Sequence, residues 1–399
     1  MDEIQLSAAK KTVIGIQFLF VAFGSTVLVP LLVGLDPATA LFTAGIGTLL
    51  FHLVTGGKVP IFLGSSFAFI APIIAATKEW GMPGTIAGIS AVACVYFSIS
   101  FLIEWQGKRV LSRIFPPVVI GPIIILIGLS LSGAGVDMAK TNWTLAIVSL
   151  ATAIVVLTYC RGLLQLFPVI CGIIVGYACA VYMGVVDFTA VKEAPWFALP
   201  SSISNFHLPE FAWEPFVFII PVAIAPVIEH IGDVYVISAV AKKDFISDPG
   251  LHRTMFGDGL ACLVASFLGG PPVTTYSEVT GAIQITKVSH PQVIRIAAVT
   301  ALVFSVFGKL SALLQSIPPA VLGGIMLLLF GSIASVGIQS MVQKSVDMNK
   351  TRNLIIVSVT LTMGIGGAAL GYGSFMFTGI GLSSLVAVVL NLVLPRGRK

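Results

Sequence analysis

Four carboxylates lie inside or at the edges of stretches that are otherwise apolar: Glu229, Asp233, Asp258 and Glu278. A carboxylate at membrane depth is expensive unless it faces a cavity or a partner, and such residues mark substrate paths and proton relays. Packing alone rarely accounts for four of them. The sequence therefore predicts a substrate or proton site inside a membrane bundle.

The surroundings of these carboxylates indicate different roles. Glu229 and Asp233 are four residues apart, which places both on one face of a helix. Two neighbouring carboxylates in a dry site cannot both ionise cheaply, so one is expected to hold a proton, unless nearby hydroxyl or backbone groups satisfy the pair. Glu278 follows an irregular segment and is expected to contact substrate, whereas Asp258 could equally cap its helix. For His230, which points to another side than Glu229, a structural hydrogen bond and a proton role are both open.

The composition is that of an integral membrane protein. Hydrophobic residues make up 57% of the 399 residues and charged residues only 10%, whereas a soluble domain usually carries about 25% charged residues. The apolar stretches are too long and continuous for the alternating strands of a barrel, which indicates an all-α membrane protein. The polar start, residues 1–12, runs directly into the first apolar stretch, so no cleavable leader is expected. The net charge of +5 is explained by membrane topology and needs no nucleic acid as a partner.

No residue pattern of an enzyme or a cofactor site is apparent in the sequence. The motifs HExxH, GxSxG, the P-loop and paired CxxC are all missing. The five cysteines sit mostly in apolar stretches without the spacing of metal ligands, and we interpret them as small core residues rather than disulfides. The sequence therefore predicts no catalysis, no metal and no cofactor.

Fourteen apolar stretches are predicted to cross the membrane, and several are near the ~20 residues that a helical crossing needs. A polar connection, 186–213, divides them into two halves of seven. The predicted spans are 14–34, 37–55, 59–76, 82–103, 114–133, 142–160, 163–185, 215–241, 254–269, 270–286, 291–314, 317–337, 353–371 and 374–394.

The distribution of basic residues supports this count. With the N-terminus inside and the loops assigned alternately, eighteen of the 22 basic residues fall on the cytoplasmic side. Only Lys78, Lys140, Lys192 and Lys309 fall outside. Because cytoplasmic loops of membrane proteins are enriched in Lys and Arg, we expect fourteen spans with both termini in the cytoplasm.

The two halves resemble each other at corresponding positions. Phe115–Gly121 and Ile317–Gly323 share a Pro-Pro and Gly pattern at an offset of 202 residues (317 − 115), and each opens the fifth span of its half. With seven spans in each half, the second copy enters the membrane from the opposite side. This predicts an inverted repeat of the kind found in many secondary transporters.

The third span of each half is irregular. Residues 60–69 and 269–278 each place Gly, Pro and small hydroxyl residues before a β-like run with aromatic residues, so neither is a good continuous helix. Non-helical backbone at membrane depth must be buried in protein or line a cavity. A helix that starts after such a break points its N–H groups at the cavity, which suits a carbonyl or an anion. The alternative is a pair of kinked packing helices.

Several motifs together carry a family resemblance over nearly the whole chain. The sequence resembles the nucleobase–ascorbate transporters (nucleobase:cation symporters), and within them the bacterial uracil permease branch. Each motif is weak alone, but the set is highly specific. The motifs are Phe23–Pro30 (FGSTVLVP), Gly64–Phe69 (GSSFAF), Glu229–Gly232 (EHIG), Asp248–Arg253 (DPGLHR) and Thr274–Glu278 (TTYSE), the last continuing through Gly281 to Thr286-Lys287.

The resemblance implies a fold of seven plus seven spans, with a core domain that carries substrate and a gate domain that mediates dimerisation. The core would comprise residues 1–105 (spans 1–4) and 214–315 (spans 8–11), and the gate residues 106–213 (spans 5–7) and 316–399 (spans 12–14). Short antiparallel β-strands in spans 3 and 10 would meet at the binding site. Members of this family import substrate by proton symport across the cytoplasmic membrane, as homodimers that move by an elevator-like shift.

The resemblance also implies roles for individual residues. Carboxylates at Glu229 and Glu278 would accept hydrogen bonds from the base, and backbone N–H groups of Phe67 and Ser277 would donate to its carbonyls. Uracil, a small neutral ring with alternating N–H donors and C=O acceptors, fits such groups. The rings of Phe67 and Tyr276 are candidates to pack against it. The expected substrate-binding residues are Glu229, Glu278, Phe67, Ser277, Tyr276, Ser25, Ser66 and Asp233, with Glu229, Asp233 and Glu278 as candidates for proton coupling.

Four positions depart from the usual uracil permease pattern. Asp233 stands where that branch usually has His, Ser277 where it has Gly, Val279 where it has Asn, and Phe18 where a His is common. Asp at the first of these positions is frequent in purine transporters, so a proton-coupled carrier of xanthine or uric acid is the alternative function. An inorganic-anion exchanger on the same fold should not need two carboxylates facing its substrate. An intramembrane enzyme is disfavoured by the missing motifs.

Overall fold

The computed structural model describes residues 7–107, 113–162, 164–204, 212–372 and 375–395. The described chain is predominantly helical, as its long apolar stretches predicted. The helices are α1 (Ala8–Val33), α2 (Pro37–Val54), α3 (Ile70–Gln106), α4 (Pro117–Lys140), α5 (Trp143–Tyr159), α6 (Pro168–Tyr182), α7 (Thr189–Glu193), α8 (Ser201–Ser204), α9 (Trp213–Ile219), α10 (Ile224–Ala241), α11 (Leu251–Phe267), α12 (Ser277–Thr286), α13 (Pro291–Ser305), α14 (Gly308–Gln315), α15 (Pro319–Gln343), α16 (Thr351–Ile365) and α17 (Gly379–Val393).

Shorter elements connect these helices. Two small antiparallel sheets pair β1 (Leu63–Ser65) with β2 (Val273–Thr275), and β3 (Ala369–Tyr372) with β4 (Phe375–Thr378). Three 3-10 turns, Phe67–Phe69, Leu164–Leu166 and Ile220–Ala223, and one π turn, Ile246–Gly250, complete the regular structure.

Six segments of the described chain are helical, long and apolar enough to cross a membrane. They are α1, α2, α3 with its preceding 3-10 turn, α4, the stretch from α9 to α10, and α15. Helices α13 and α14 would add a seventh if they are one span, bent by 83°. Helices α5, α6, α16 and α17 are shorter but also apolar. The exact number of fourteen spans stays a prediction.

The chain departs from the predicted spans at two glycines, where a helix bends or ends. Predicted spans 59–76 and 82–103 meet within one element, α3, which changes direction at Gly81, where φ is 66° and ψ is −176°. The prediction of a span over 353–371 is wrong at its end, because α16 stops at Ile365 and Gly367 has a φ of 66° before strand β3 begins. Side chains with a Cβ rarely adopt such a φ, so these glycines allow the turns. The β3–β4 hairpin was not predicted.

Helices α4 and α15 begin at the two copies of the repeated motif and pack against each other. Each starts with a Pro at its first position, Pro117 and Pro319, again 202 residues apart (319 − 117). Small residues let the two backbones approach closely, as is common between membrane helices. The order of the contacts shows that the helices run antiparallel: Gly121 faces Met341, Gly128 faces Phe330, and Gly135 faces Met326. Corresponding helices that run in opposite directions are what an inverted repeat requires.

Loops that the sequence assigned to the same side of the membrane contact each other. Lys58 and Asp248, both in segments assigned to the cytoplasm, form an ion pair with a distance of 2.5 Å from Nζ to Oδ1. Lys309 donates to the backbone carbonyl of Val191 over 2.8 Å, and both residues are assigned to the outside. Five basic residues assigned to the cytoplasm lie outside the described residues: Lys108, Arg109, Arg396, Arg398 and Lys399.

The close contact between α4 and α15 predicts the effect of a single methyl group. A Cβ at Gly128 would lie 2.3 Å from the carbonyl oxygen of Phe330 and 2.7 Å from the backbone N of Ala334. We expect Gly128→Ala to lower the free energy of unfolding by about 1–3 kcal/mol, the usual cost of overpacking. Gly133 on the same helix is a matched control, because nothing lies within 4 Å of its added Cβ. Gly133→Ala should leave the thermal unfolding midpoint in detergent unchanged or raise it. Equal midpoints for the two variants would contradict the close contact.

Candidate substrate site

The two irregular segments meet as a short antiparallel strand pair. The register places Leu63 opposite Thr275, Gly64 opposite Thr274, and Ser65 opposite Val273. The prediction of short antiparallel strands in spans 3 and 10 is confirmed. Two more backbone hydrogen bonds extend the pairing: from Ser66 N–H to the Pro272 carbonyl at 2.9 Å, and from Tyr276 N–H to the Phe62 carbonyl at 3.1 Å.

Side chains of neighbouring helices hold the strand pair in place. Thr48 of α2 accepts a hydrogen bond from the N–H of Leu63 over 2.9 Å and donates to the carbonyl of the same residue over 3.3 Å. On β2, the thiol of Cys262 from α11 donates to the carbonyl of Val273 over 2.9 Å. Because unpaired backbone groups are costly at membrane depth, these bonds fix the position of both strands.

Each strand leads directly into the start of a helix. Strand β1 is followed by the 3-10 turn Phe67–Phe69, which runs into α3, and β2 is followed by α12, which begins at Ser277. Within the described chain, neither start is capped by a side chain. The first N–H groups of a helix have no partner inside it and carry a partial positive charge. The backbone at Phe67 and Ser277 can therefore donate to carbonyl oxygens of a bound molecule.

Helices α10 and α12 bring Glu229 and Glu278 together. Glu278 is exposed and lies in the first turn of α12, where the helix dipole favours a negative charge, and its Oε1 accepts a hydrogen bond from Ser25 of α1 over 3.1 Å. Glu229 is half-buried, and its carboxylate has no hydrogen bond or ion pair with any described residue. The charges of Asp233, Glu278 and Asp258 all act on Glu229.

Asp233 is held by two hydroxyl groups. It is 6% exposed. Its Oδ2 accepts from Thr275 and its Oδ1 from Ser277, both over 2.5 Å. Two of the departures from the usual uracil permease pattern, Asp233 and Ser277, therefore bind each other. Both oxygens of the carboxylate are used to tie α10 to strand β2 and to the start of α12.

The aromatic and hydroxyl candidates lie on both sides of the strand pair. Phe67 is half-buried. Its ring packs edge-to-face against the ring of Phe330 on α15, with 6.2 Å between the ring centroids. Tyr276 is 4% exposed, and its hydroxyl donates to the backbone carbonyl of Ser65 over 2.9 Å. The hydroxyl of Ser66 is buried and has no partner among the described residues. Phe67 thus reaches toward α15, whereas the Tyr276 ring is enclosed.

A second, fully buried cluster lies behind the strand pair. His230 Nδ1 is 2.7 Å from Asp258 Oδ2, and its Nε2 is 3.0 Å from the Thr254 hydroxyl. Neither ionisable side chain is exposed. The idea that Asp258 caps its helix is wrong, because α11 begins seven residues earlier, at Leu251. The Tyr96 ring meets the His230 ring at 6.3 Å between centroids. His230 therefore makes structural hydrogen bonds that link α10 to α11.

Comparison with known proteins assigns the chain to a family. The sequence model of a group described as a permease family matches residues 9–371. The chain belongs to the nucleobase–ascorbate transporter family. This nucleobase–ascorbate transporter is 46% identical over 404 residues to the probable uracil permease of Pasteurella multocida. The alignment covers 99% of this chain and 96% of the relative. It is 38% identical over 391 residues to the uracil permease of Escherichia coli. That alignment covers 95% of this chain and 90% of the relative.

The transporter shares its fold with a more distant membrane protein. It superimposes on the transmembrane domain of the cyanobacterial bicarbonate transporter BicA with a TM-score of 0.63 and 13% identity, and the match covers 98% of this chain and 99% of that domain. At this identity the likeness concerns the fold alone.

The Asp233–Ser277 contact predicts that the two departures depend on each other. We expect Asp233→His alone to destabilise this transporter, because the Ser277 hydroxyl loses its acceptor and faces a larger ring. Adding Ser277→Gly removes that hydroxyl and makes room. Contacting residues couple by about 0.5–3 kcal/mol, so the loss in the double variant should be smaller than the two single losses together by that amount. Thermal unfolding in detergent measures it. Asp233→His combined with Ser132→Gly on the separate helix α4 should be additive, and additivity in both pairs would refute the coupling.

Proposed function

We propose that this transporter is a proton-coupled importer of uracil. Relatives named uracil permeases match nearly its whole length at 38–46% identity. The observation that carries the proposal is a pair of glutamates, Glu278 at the helix start after β2 and Glu229 on the neighbouring helix α10. Glu278 is already held by Ser25, whereas Glu229 has no partner among the described residues. A half-buried carboxylate without a hydrogen-bond partner can accept from a ligand, and the N–H groups of a nucleobase are suitable donors.

The proposed binding mode matches each polar group of uracil to a group of the site. Glu229 and Glu278 accept from the ring N–H groups. The backbone N–H groups at Phe67 and Ser277 donate to the ring carbonyls. Because any wrong base leaves one of these groups unpaired in a water-poor site, the arrangement supports strong discrimination between bases.

The remaining site residues receive supporting roles in this proposal. Phe67 packs against the face of the base, since its ring is only half-buried. Tyr276 positions the strands rather than stacking, since its hydroxyl is bound to Ser65 and its ring is enclosed. Ser25 orients Glu278, and Ser66 offers a buried hydroxyl beside the helix start.

We assign uptake of the transported proton to Glu229. Glu229, Asp233 and Glu278 cannot all be charged at low cost, because the charges of Asp233 and Glu278 act on Glu229. Two hydroxyl donors stabilise a charge on Asp233, and one stabilises a charge on Glu278, whereas Glu229 has none among the described residues. Protonated Glu229 would also reduce the repulsion that Asp233 and Glu278 exert on it. Asp233 and Glu278 then tune the coupling through their charges.

The same proposal includes the architecture of transport. Residues 1–105 and 214–315 would form a core that moves with the substrate, and residues 106–213 and 316–399 a gate that forms the homodimer. The tight α4–α15 contact, which lies wholly within the proposed gate, supports this division. We place the protein in the cytoplasmic membrane with both termini inside, because this orientation puts eighteen of the 22 basic residues on the cytoplasmic side.

The structure around Asp233 weakens the case for a purine substrate. The purine alternative was based on Asp233, yet both of its oxygens accept hydroxyl groups of the protein. A carboxylate already occupied in this way does not require a second hydrogen-bonding ring on the substrate. An anion exchanger is disfavoured because Glu229 and Glu278 would repel its substrate.

Uptake into proteoliposomes tests the proposal directly. Radiolabelled uracil is supplied under an imposed inward proton gradient, with unlabelled uracil, xanthine and sulfate as competitors. We expect uptake above equilibrium that collapses when a protonophore dissipates the gradient and that only uracil inhibits. Inhibition by xanthine alone would replace uracil with a purine. Inhibition by sulfate alone would contradict a nucleobase site.

Neutral substitutions at the two glutamates test the site. We expect Glu229→Gln and Glu278→Gln each to lower uracil uptake strongly, because each exchanges an acceptor for an amide that also presents donors to the base. Removing a hydrogen bond to a charged group costs about 1.5–3 kcal/mol, which corresponds to roughly a tenfold to hundredfold loss. The unfolding midpoint should stay close to that of the unmodified protein. Glu104→Gln, an exposed carboxylate near the end of α3, is the matched control. Unchanged uptake rates in both site variants would refute the assignment.

A further inference from the structure

The buried cluster behind the strands contains three oxygens that face one another. The Tyr96 ring of α3 meets the ring of His230, which is bound to Asp258 of α11, and the Tyr96 hydroxyl lies near the Asp258 carboxylate and the Thr274 hydroxyl of β2. Tyr96 Oη, Asp258 Oδ1 and Thr274 Oγ1 have no hydrogen-bond partner among the described residues. All three residues are buried. Buried polar groups in folded proteins are nearly always paired, and these three neighbouring oxygens are available to pair with one another.

We propose that these oxygens form one hydrogen-bond chain in which Thr274 donates to Tyr96 and Tyr96 donates to Asp258. The other oxygen of Asp258 is already bound to His230, which in turn reaches Thr254. With the two proposed hydrogen bonds, the chain runs from strand β2 to helices α3, α11 and α10. Tyr96 is its central member, because it is the link between the strand and the His230–Asp258 pair.

This chain makes Tyr96 a positioning residue for the substrate site, a role that depends on the proposed function. Successive side chains of a strand point to opposite faces. Thr275 faces the site and donates to Asp233, so Thr274 points to the back of the sheet, where Tyr96 meets it. A strand of three residues has few bonds to fix it. The proposed hydrogen bond from Thr274 to Tyr96 therefore helps to fix β2, and with it the positions of Ser277 and Glu278 relative to Glu229.

Other ionisable groups near this chain are already accounted for. The Cys262 side chain of α11 interacts with the charge of Asp258, but its thiol donates to the Val273 carbonyl. Glu229 also senses the charge of Asp258, from the substrate side of α10. Neither residue satisfies Tyr96 or Thr274. The Tyr96 hydroxyl is therefore the group that joins the cluster to the strand.

Removing either hydroxyl tests the inference without changing side-chain shape. Tyr96→Phe and Thr274→Val should each raise KM for uracil about fivefold, the effect of one lost hydrogen bond, with a smaller change in kcat. The double variant should resemble the single variants, because both substitutions break the same chain. Tyr159→Phe, an exposed tyrosine at the end of α5, is the control and should leave KM unchanged. Single variants with KM within twofold of the unmodified protein, or effects that multiply in the double variant, would overturn the proposal.

Amide hydrogen exchange separates this inference from the proposed function. In Tyr96→Phe, exchange in the segment 270–278, which contains β2, should accelerate at least about fivefold, since local opening follows the loss of anchoring bonds. This result does not depend on which substrate is carried. If the unmodified protein takes up no uracil but the segment still exchanges faster in Tyr96→Phe, the proposed function fails and the positioning role stands. Unchanged exchange in Tyr96→Phe would refute the positioning role whatever the transport result.

Discussion

The structure depends on one constraint: a break in two membrane helices exposes backbone groups that have no water to bind. Strands β1 and β2 meet this constraint by pairing with each other, but a pair of three-residue strands leaves its outer edges open. Thr48 closes one edge and Cys262 the other. The Tyr276 ring fits over Gly64, where an added Cβ would lie 2.4 Å from it. The six strand residues therefore require neighbouring helices at positions from which their side chains can pair with the open strand edges.

The carboxylates near the site also differ in how many hydrogen-bond donors the protein supplies to them. Asp258 is bound to His230, Asp233 to two hydroxyls, and Glu278 to one. Among the described residues, Glu229 is the member of this set without a hydrogen bond. Protein groups that stabilise a charge also remove the reason for a ligand to bind it. The carboxylate left without a partner is accordingly the one best suited to a substrate and a proton.

The sequence predicted those parts of the site that depend on local chemistry. Gly, Pro and hydroxyl residues in spans 3 and 10 indicated broken helices, and the Pro-Pro motifs marked helices α4 and α15. The Asp233–Ser277 bond joins residues 44 positions apart, and the His230–Asp258 bond joins residues 28 apart. Such pairs depend on how helices pack, which no local pattern records. Tyr96 looked like an ordinary aromatic residue in an apolar span, and only its position against β2 gives it a role.

Phe330 lies where the proposed core and gate meet. Its backbone contact with α4 is tight, whereas its ring contact with Phe67 is weak. Its backbone carbonyl lies against Gly128, in a contact so close that a methyl group does not fit, so α4 and α15 are held as one unit. Its ring touches Phe67 through a single edge contact, of a kind worth about 0.5–1.5 kcal/mol. A sliding movement breaks the weaker contact first. If the core moves against the gate, the Phe67–Phe330 contact therefore separates, while the α4–α15 pair stays intact.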